Sequence, residues 1–307
     1  MRILISLLCL SLVSCNQKTT DTTETSIASI LPVENVFATE KELSKEFKNY
    51  WYAGKAEITS YALEQVRYGE LRKGTAALIY VTEDFLPEIQ VKANQKSAST
   101  VSVLKLNATK KFNTGIYPYS IMQSTFYPVT DNQHALKISS SIQEWCGQVY
   151  AQLNTKEKFE ILSHSYFQGE ADQTFSLKKT ILENELWTKL RIAPNDMPQG
   201  ELSIIPSFEY CRLFHKEIQP YSASAKMEKQ QDFSTYTITY PELSRSLAIT
   251  FSNKFPYEIE SWTERYNLTD TTDALVTKAT RLKTITSDYW SKNSTRHDAL
   301  RDTLKLN

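Results

Sequence analysis

Glycine is scarce, with seven residues in a chain of 307. The rarity excludes glycine-rich phosphate loops of the kind that open a helix after a strand, and no G-x-S-x-G nucleophile elbow occurs. Cysteine is almost as rare, at positions 9, 15, 146 and 211, and no two form C-x-x-C. The four histidines, at 134, 164, 215 and 297, make no H-x-x-x-H or H-E-x-x-H pattern. Neither a metal nor any other cofactor is therefore expected. Excess charge is missing too, since 35 basic residues balance 35 acidic ones without forming blocks. That balance gives no reason to expect a nucleic-acid partner. Glu170 and Asp172 in "QGEADQ" read as a solvated turn, and no motif sets two carboxylates at a glycosidase spacing.

Long apolar runs are also lacking; the one at the N-terminus is short. Arg2 precedes an apolar stretch from Ile3 to Val13, too brief for a spanning helix of roughly 20 residues. It reads as a secretory signal over residues 1–14. Leu12-Val13-Ser14-Cys15 resembles a bacterial lipobox, which implies cleavage before Cys15 and lipidation of that residue. The lipid chains would provide the membrane anchor, each buried methylene contributing about 0.8 kcal/mol. Residues 15–38, with the Thr-rich "NQKTTDTTETS", then form the lipidated cysteine and a disordered tether. Residues 39–307 remain as a single β-rich domain.

Within that domain the alternation of Ile, Val, Thr, Tyr and Phe with polar residues predicts a series of strands. They run over Thr75–Phe85, Tyr119–Val129, His134–Leu153, Lys158–Ala171, Leu202–Phe214, Phe233–Tyr240, Arg245–Ser252, Tyr257–Tyr266 and Leu275–Trp290. The turn Arg72-Lys73-Gly74 opens the series. Two or three helices are expected. The first follows a Thr39/Glu42 capping box, the second covers about Leu177–Leu190, and a short one follows Ser294. Strand after strand with few crossover helices gives a mainly β fold, a large curved antiparallel sheet resembling half a barrel.

The stretch "EWCGQVY" contains the most reactive-looking residue, Cys146. On a strand from 134 to 153, Trp145, Gly147, Val149, Ala151 and Leu153 share one face and Cys146 the other, more polar one. Folding back at "NTKE", the next strand brings Leu162, His164 or Tyr166 opposite Cys146, with Glu144 on the same face. Two readings follow. Cys146 is a structural cysteine, free or bonded to Cys211, which shares the polar face of its own strand with His215. Alternatively Cys146, His164 and Glu144 form the catalytic group of a cysteine-dependent hydrolase or redox enzyme. A thioredoxin-like site would need a second thiol where Val149 stands, which favours the structural reading.

Aromatics are abundant, with 17 Tyr, 13 Phe and five Trp, and cluster in "YPYS", "FYP" and "FPYEIESW". They suit a core, or an apolar ligand held on a curved sheet. The segments "NYWYAGKAEI", "EDFLPE", "LKLNATKKFNTGIYPYSIM", "EWCGQVY", "SHSYFQGEAD" and "LENELW" resemble an uncharacterised family of Bacteroidota lipoproteins. Its members are sometimes labelled septum formation inhibitor Maf. The S-x-S-P-R-R motif of Maf nucleotide pyrophosphatases does not occur in this chain. The late "FPYEIESWTE" and the strand series are similar to LolA-like half-barrel carriers. These resemblances imply a lipid-anchored protein of the cell envelope, of the outer membrane, with its membrane face open. It is expected to be non-enzymatic and to bind an apolar ligand or an envelope partner protein.

Overall fold

The computed structural model describes residues 42–130, 133–267 and 275–306. After helix α1 (Lys45–Trp51) come strands β1 (Ala56–Arg67), β2 (Glu70–Leu86), β3 (Val91–Lys92), β4 (Val101–Thr114) and β5 (Tyr117–Pro128). Strands β6 (Lys137–Glu144), β7 (Gly147–Thr155), β8 (Phe159–Ser165), β9 (Gln173–Leu177) and β10 (Ile181–Leu182) lead into helix α2 (Glu183–Ile192). Then follow β11 (Gly200–Ile205), α3 (Phe208–Leu213), β12 (Tyr221–Lys229), β13 (Phe233–Tyr240), β14 (Arg245–Ser252), β15 (Ile259–Tyr266), β16 (Val276–Ser287) and α4 (Ala299–Thr303). All 16 strands join one sheet, in the order β10-β11-β12-β13-β14-β15-β16-β1-β2-β4-β5-β6-β7-β8-β9, with β3 beside β2. Among the described residues only the β10–β11 pair is parallel. The fold is thus mainly β, one large and mostly antiparallel unclosed sheet.

The curvature has identifiable causes. Register shifts occur between Ser60 and Tyr61 against β16 and between Thr250 and Phe251 against β15. Such bulges bend a strand and increase its twist. Gly74 lies inside β2, not in a turn as expected. A Cβ there would sit 2.2 Å from the Lys111 carbonyl oxygen on β4, so the neighbouring backbone requires a glycine. The real turn is Tyr68-Gly69, both at positive φ (53° and 72°). Two such residues make the tight hairpin whose twist matches its strands.

Helix α2 shows how far the sheet wraps. It bonds to β1 through Arg191–Glu57, to β2 through Tyr80, to β5 through Gln123, and to β13 and β14 through Tyr240 and Arg245. These strands span the sheet from β13 round to β5, and one helix can touch them all only if the sheet curls around it. Leu186 and Leu190 of α2 anchor the main core, with Trp51, Tyr61, Tyr80, Leu106, Tyr236, Ile249 and Trp262. A second core joins Ile138, Leu153, Phe159 and Ile161 to Leu182, Ile205 and Phe208, which brings the β6–β8 side against β10, β11 and α3. Helix α4 lays Leu304 on Ala56, Ile58 and Val81 in a separate patch.

Several boundaries differ from expectation. Helix α1 starts later, capped by Ser44, whose Oγ accepts from the Phe47 N–H at 3.0 Å. Thr39 of the expected capping box lies outside the described residues. Helix α2 begins at Glu183 because β9 and β10 take up the preceding apolar positions. The expected strand over His134–Leu153 is a hairpin, β6 and β7. The expected strand to Phe214 stops at Ile205, after which Pro206-Ser207 starts α3 and Ser207 Oγ accepts from the Tyr210 N–H. Strands β1 and β4, both next to β2 in the sheet, were not expected at all. In β1 the buried positions are nearly continuous, which erases the alternation. In β4 the lysines 105, 110 and 111 disguise a strand, two of them paired with carboxylates inside the fold.

Candidate functional site

Most polar residues of α2 ("ENELWTKLRI") are buried with its leucines, including Glu183, Asn184, Glu185, Thr188 and Arg191. Buried charges persist only when paired and hydrogen-bonded. Arg191 makes a bidentate pair with Glu57, each N–O distance 2.7 Å, and its Nε donates to the Pro256 carbonyl. Tyr50 donates to the same carboxylate at 2.6 Å. The Arg191 guanidinium lies 4.6 Å from the centre of the Tyr80 ring and 5.1 Å from that of Trp51. Glu185 accepts from the Leu182 and Ala135 N–H groups and meets His134.

At the other end of α2 a chain of contacts leaves the helix and returns to it. Glu183 is clasped by Arg245, which reaches Glu264 at 2.8 Å; Glu264 contacts Lys110 at 3.5 Å, and Lys110 contacts Glu209 at 2.7 Å. Gln123 donates to Glu209 and accepts from Asn184, closing the loop on α2. Tyr240 adds a bond to Glu183. Burial would raise the Glu264 pKa, but Lys110 and Arg245 outweigh it and hold the carboxyl well below its usual value. Burial and the neighbouring Glu264 push Glu209 upward, against the pull of Lys110. Beside this loop, between Leu78, Leu106, Trp187 and Trp262, the remaining cavity is about 40 Å³. That is room for roughly two or three waters, against several hundred Å³ for a small-molecule site. The concave face expected to hold an apolar ligand is occupied by the chain's own helix.

A larger concavity lies elsewhere. Strands β7–β9, the loop after β8, and α3 with the segment following it enclose an open groove of about 560 Å³. Its walls are partly apolar, from Val149, Ala151, Phe175, Leu177 and Ile218, and partly polar, from Glu170, Cys211, Arg212 and His215. Glu170 is engaged with His215 Nδ1 at 2.7 Å and Ser165 Oγ at 2.6 Å. Arg212 is 8% exposed, and the Phe167 ring centre lies 4.0 Å from its guanidinium carbon. Among the described residues its Nε and Nη1 have no hydrogen-bond partner.

The proposed catalytic group is not assembled. Trp145 and Cys146 form the two-residue turn between β6 and β7, so Trp145 is 68% exposed and lies on no strand face. Gly147 lets the Tyr166 ring approach, since a Cβ would sit 2.4 Å from it. The odd-to-odd register holds, but His164 stands opposite Tyr150 and turns to Asp172 at 3.1 Å. Glu144 accepts from the Cys146 N–H at 2.7 Å, and its bond to the thiol raises the Cys146 pKa. A nucleophilic cysteine needs the opposite shift. Nor are Cys146 and Cys211 bonded to each other. Cys146 is free and exposed, whereas Cys211 is free and buried in α3, where burial pushes its thiol up to about 12.

Among the described residues no three His, Cys, Asp or Glu side chains converge as a metal site. Cys15 lies outside them. Arg212 is hidden in the sequence by the strand pattern expected over Leu202–Phe214, where the structure has α3. Ser207 after a proline, with Glu209 two residues on, was the available sign of a helix start.

No family model and no curated protein matches the chain. One solved structure is similar, a β-barrel-like protein of the domain of unknown function DUF1849 from Brucella abortus. It shares 11% identity with this chain at a TM-score of 0.44, covering 75% of this chain and 97% of that one.

Proposed function

We propose that this is a non-enzymatic lipoprotein of the cell envelope that recognises its ligand or partner on its surface and not in its lumen. The observation that carries the reading is the filled interior. Helix α2 occupies the curl of the sheet, its buried charges are paired with the wall, and about 40 Å³ is left beside them. Exchange of an apolar cargo there would require breaking several buried ion pairs at once, each costing about 3–5 kcal/mol when one partner is lost. The groove beside α3 is open already. Anchoring rests on the lipobox at Leu12–Cys15, with the Thr-rich segment as a tether, and outer-membrane placement on the resemblance to the Bacteroidota lipoproteins. Among the described residues no helix is long and apolar enough to cross a membrane.

Fractionation of cells expressing the full chain tests this. The parent should sediment with membranes and carry acyl chains on Cys15 by mass spectrometry. Cys15→Ser should appear in the soluble fraction, equally folded. A Cys15→Ser protein that stays with membranes, or an unmodified Cys15, refutes the anchor.

A further inference from the structure

The groove beside α3 contains an arrangement that its own residues leave incomplete. Arg212 is buried to more than nine-tenths, and among the described residues it forms no ion pair and no hydrogen bond from Nε or Nη1. A guanidinium stays charged at all accessible pH values, so it cannot escape this situation by losing its proton. Phe167 covers one face of the group at 4.0 Å, which leaves the in-plane N–H donors as the means of satisfying it. The nearby acids do not supply the partner. Glu170 is committed to His215 and Ser165, and Glu217, the other carboxylate of the lining, makes no ion pair with Arg212.

The rest of the groove states what kind of anion would fit. Phe175, Leu177 and Ile218 provide an apolar wall, and the volume of about 560 Å³ suits a small ligand and not a bare ion. Lys216 is a second cation of the lining, and Glu170 and Glu217 balance it and Arg212 in charge, which opposes a multiply charged head. We propose that the groove binds a singly charged anionic amphiphile, its headgroup on the fork of Arg212 and its chain along Phe175, Leu177 and Ile218. Arginine pairs with planar carboxylates and with phosphates through two parallel hydrogen bonds, which a lysine does not reproduce. The inference rests on the groove being the recognition surface proposed above.

The test is calorimetric titration of the full chain carrying Cys15→Ser, with dodecanoate, dodecanol and dodecylammonium below their micellar concentrations. Dodecanoate should bind one per chain, at least tenfold tighter than either companion. Arg212→Met should lose at least tenfold in dodecanoate affinity and keep its dodecanol affinity within twofold, with Arg212→Lys between. Equal binding of the three probes by the parent overturns the proposal without needing any variant. So does a folded Arg212→Met protein that holds dodecanoate as tightly as the parent. Sedimentation with phosphatidylglycerol vesicles separates the sources. Capture that Arg212→Met abolishes assigns the head to a bilayer lipid, and dodecanoate binding without capture assigns it to a free amphiphile. If neither probe binds while Cys15→Ser still releases the chain from membranes, the ligand class is wrong and the anchored reading stands. If Cys15→Ser stays on membranes, the anchored reading fails whatever the groove binds.

Discussion

Arg245 and Arg212 are both withdrawn from solvent, yet their surroundings are opposite. Arg245, in the lumen, is held by Glu183 and Glu264 and faces the Tyr210 ring at 4.3 Å; only its Nε lacks a partner. Arg212, two residues after Tyr210 in α3, has an aromatic ring over it and, among the described residues, no carboxylate partner. The contrast separates two uses of a buried cation. In the lumen it fixes α2 to the wall, because the helix can leave only by stranding charges in a low dielectric. In the groove no ion-pair partner among the described residues depends on it. A cation kept there without one is what a binding site for an anion requires.

The sharpest way to break that comparison is to remove each guanidinium in turn. Arg245→Met takes the guanidinium from both Glu183 and Glu264, leaving them only Tyr240 and Lys110 with Tyr266, and should cost about 3–5 kcal/mol, the range for breaking a buried pair. Urea denaturation would show it as a lower midpoint at unchanged slope. Arg191→Met should be comparable through Glu57. Arg212→Met leaves no carboxylate of the described residues behind, so its cost should stay near or below about 2 kcal/mol, the scale of a desolvated contact with Phe167. Equal losses at 245 and 212 would mean that Arg212 is structural after all.

Lys110 allows the lumen to be examined by pH. It stands between Glu209 and Glu264, so Lys110→Met leaves two buried carboxylates facing each other, with a cost of about 3 kcal/mol at neutral pH. The sign of the pH dependence follows from the shifts. In the parent the folded pKa of Glu264 is depressed, from 4.5 to about 2, so its stabilisation is complete above the unfolded value and lost as pH falls through that window. Without Lys110 that depression shrinks and Glu209 rises further. The variant's deficit should therefore be greatest near pH 7 and narrow as pH falls toward 4, measured by urea midpoints across the range. A deficit that widens on acidification would contradict the assigned network.

The fold was legible in the sequence where strands alternate and partners are adjacent. Phe233–Tyr240 and Arg245–Ser252 are observed at the expected bounds, because one face of each is buried and the other half-exposed. It was illegible where a strand has partners on both faces or charges within it. In β1 every residue from Ala56 to Tyr61 is buried, and Glu57 meets Arg191, 134 positions away. No local pattern announces such a pair. The same limit applies at the site. Strand periodicity puts Cys146 and Cys211 each on a polar strand face, whereas one occupies a hairpin tip and the other a helix, so those faces do not exist. The groove depends on a contact between α3 and β7–β9, and a contact of that kind leaves no trace in spacing.

The two cysteines give the smallest and most direct extension of the comparison. Cys146 is exposed, but its bond to Glu144 raises the thiol pKa, whereas Cys211 is buried and pushed up to about 12. Reactivity follows the thiolate fraction and access, so the two should differ in which factor limits them. Iodoacetamide at pH 7.5 should label Cys146 more slowly than free cysteine, and Glu144→Gln should speed that reaction severalfold because the acceptor charge that stabilises the protonated thiol is gone. Cys211 should remain unlabelled in the folded chain with or without Glu144, and react only in denaturant. Peptide mass spectrometry after timed quenching reads both rates in one sample. A Cys146 that outpaces free cysteine would return the nucleophile to consideration, since a carboxylate next to a thiol can only slow it; a Cys211 that labels in the native protein would show that the groove opens far enough to expose its floor.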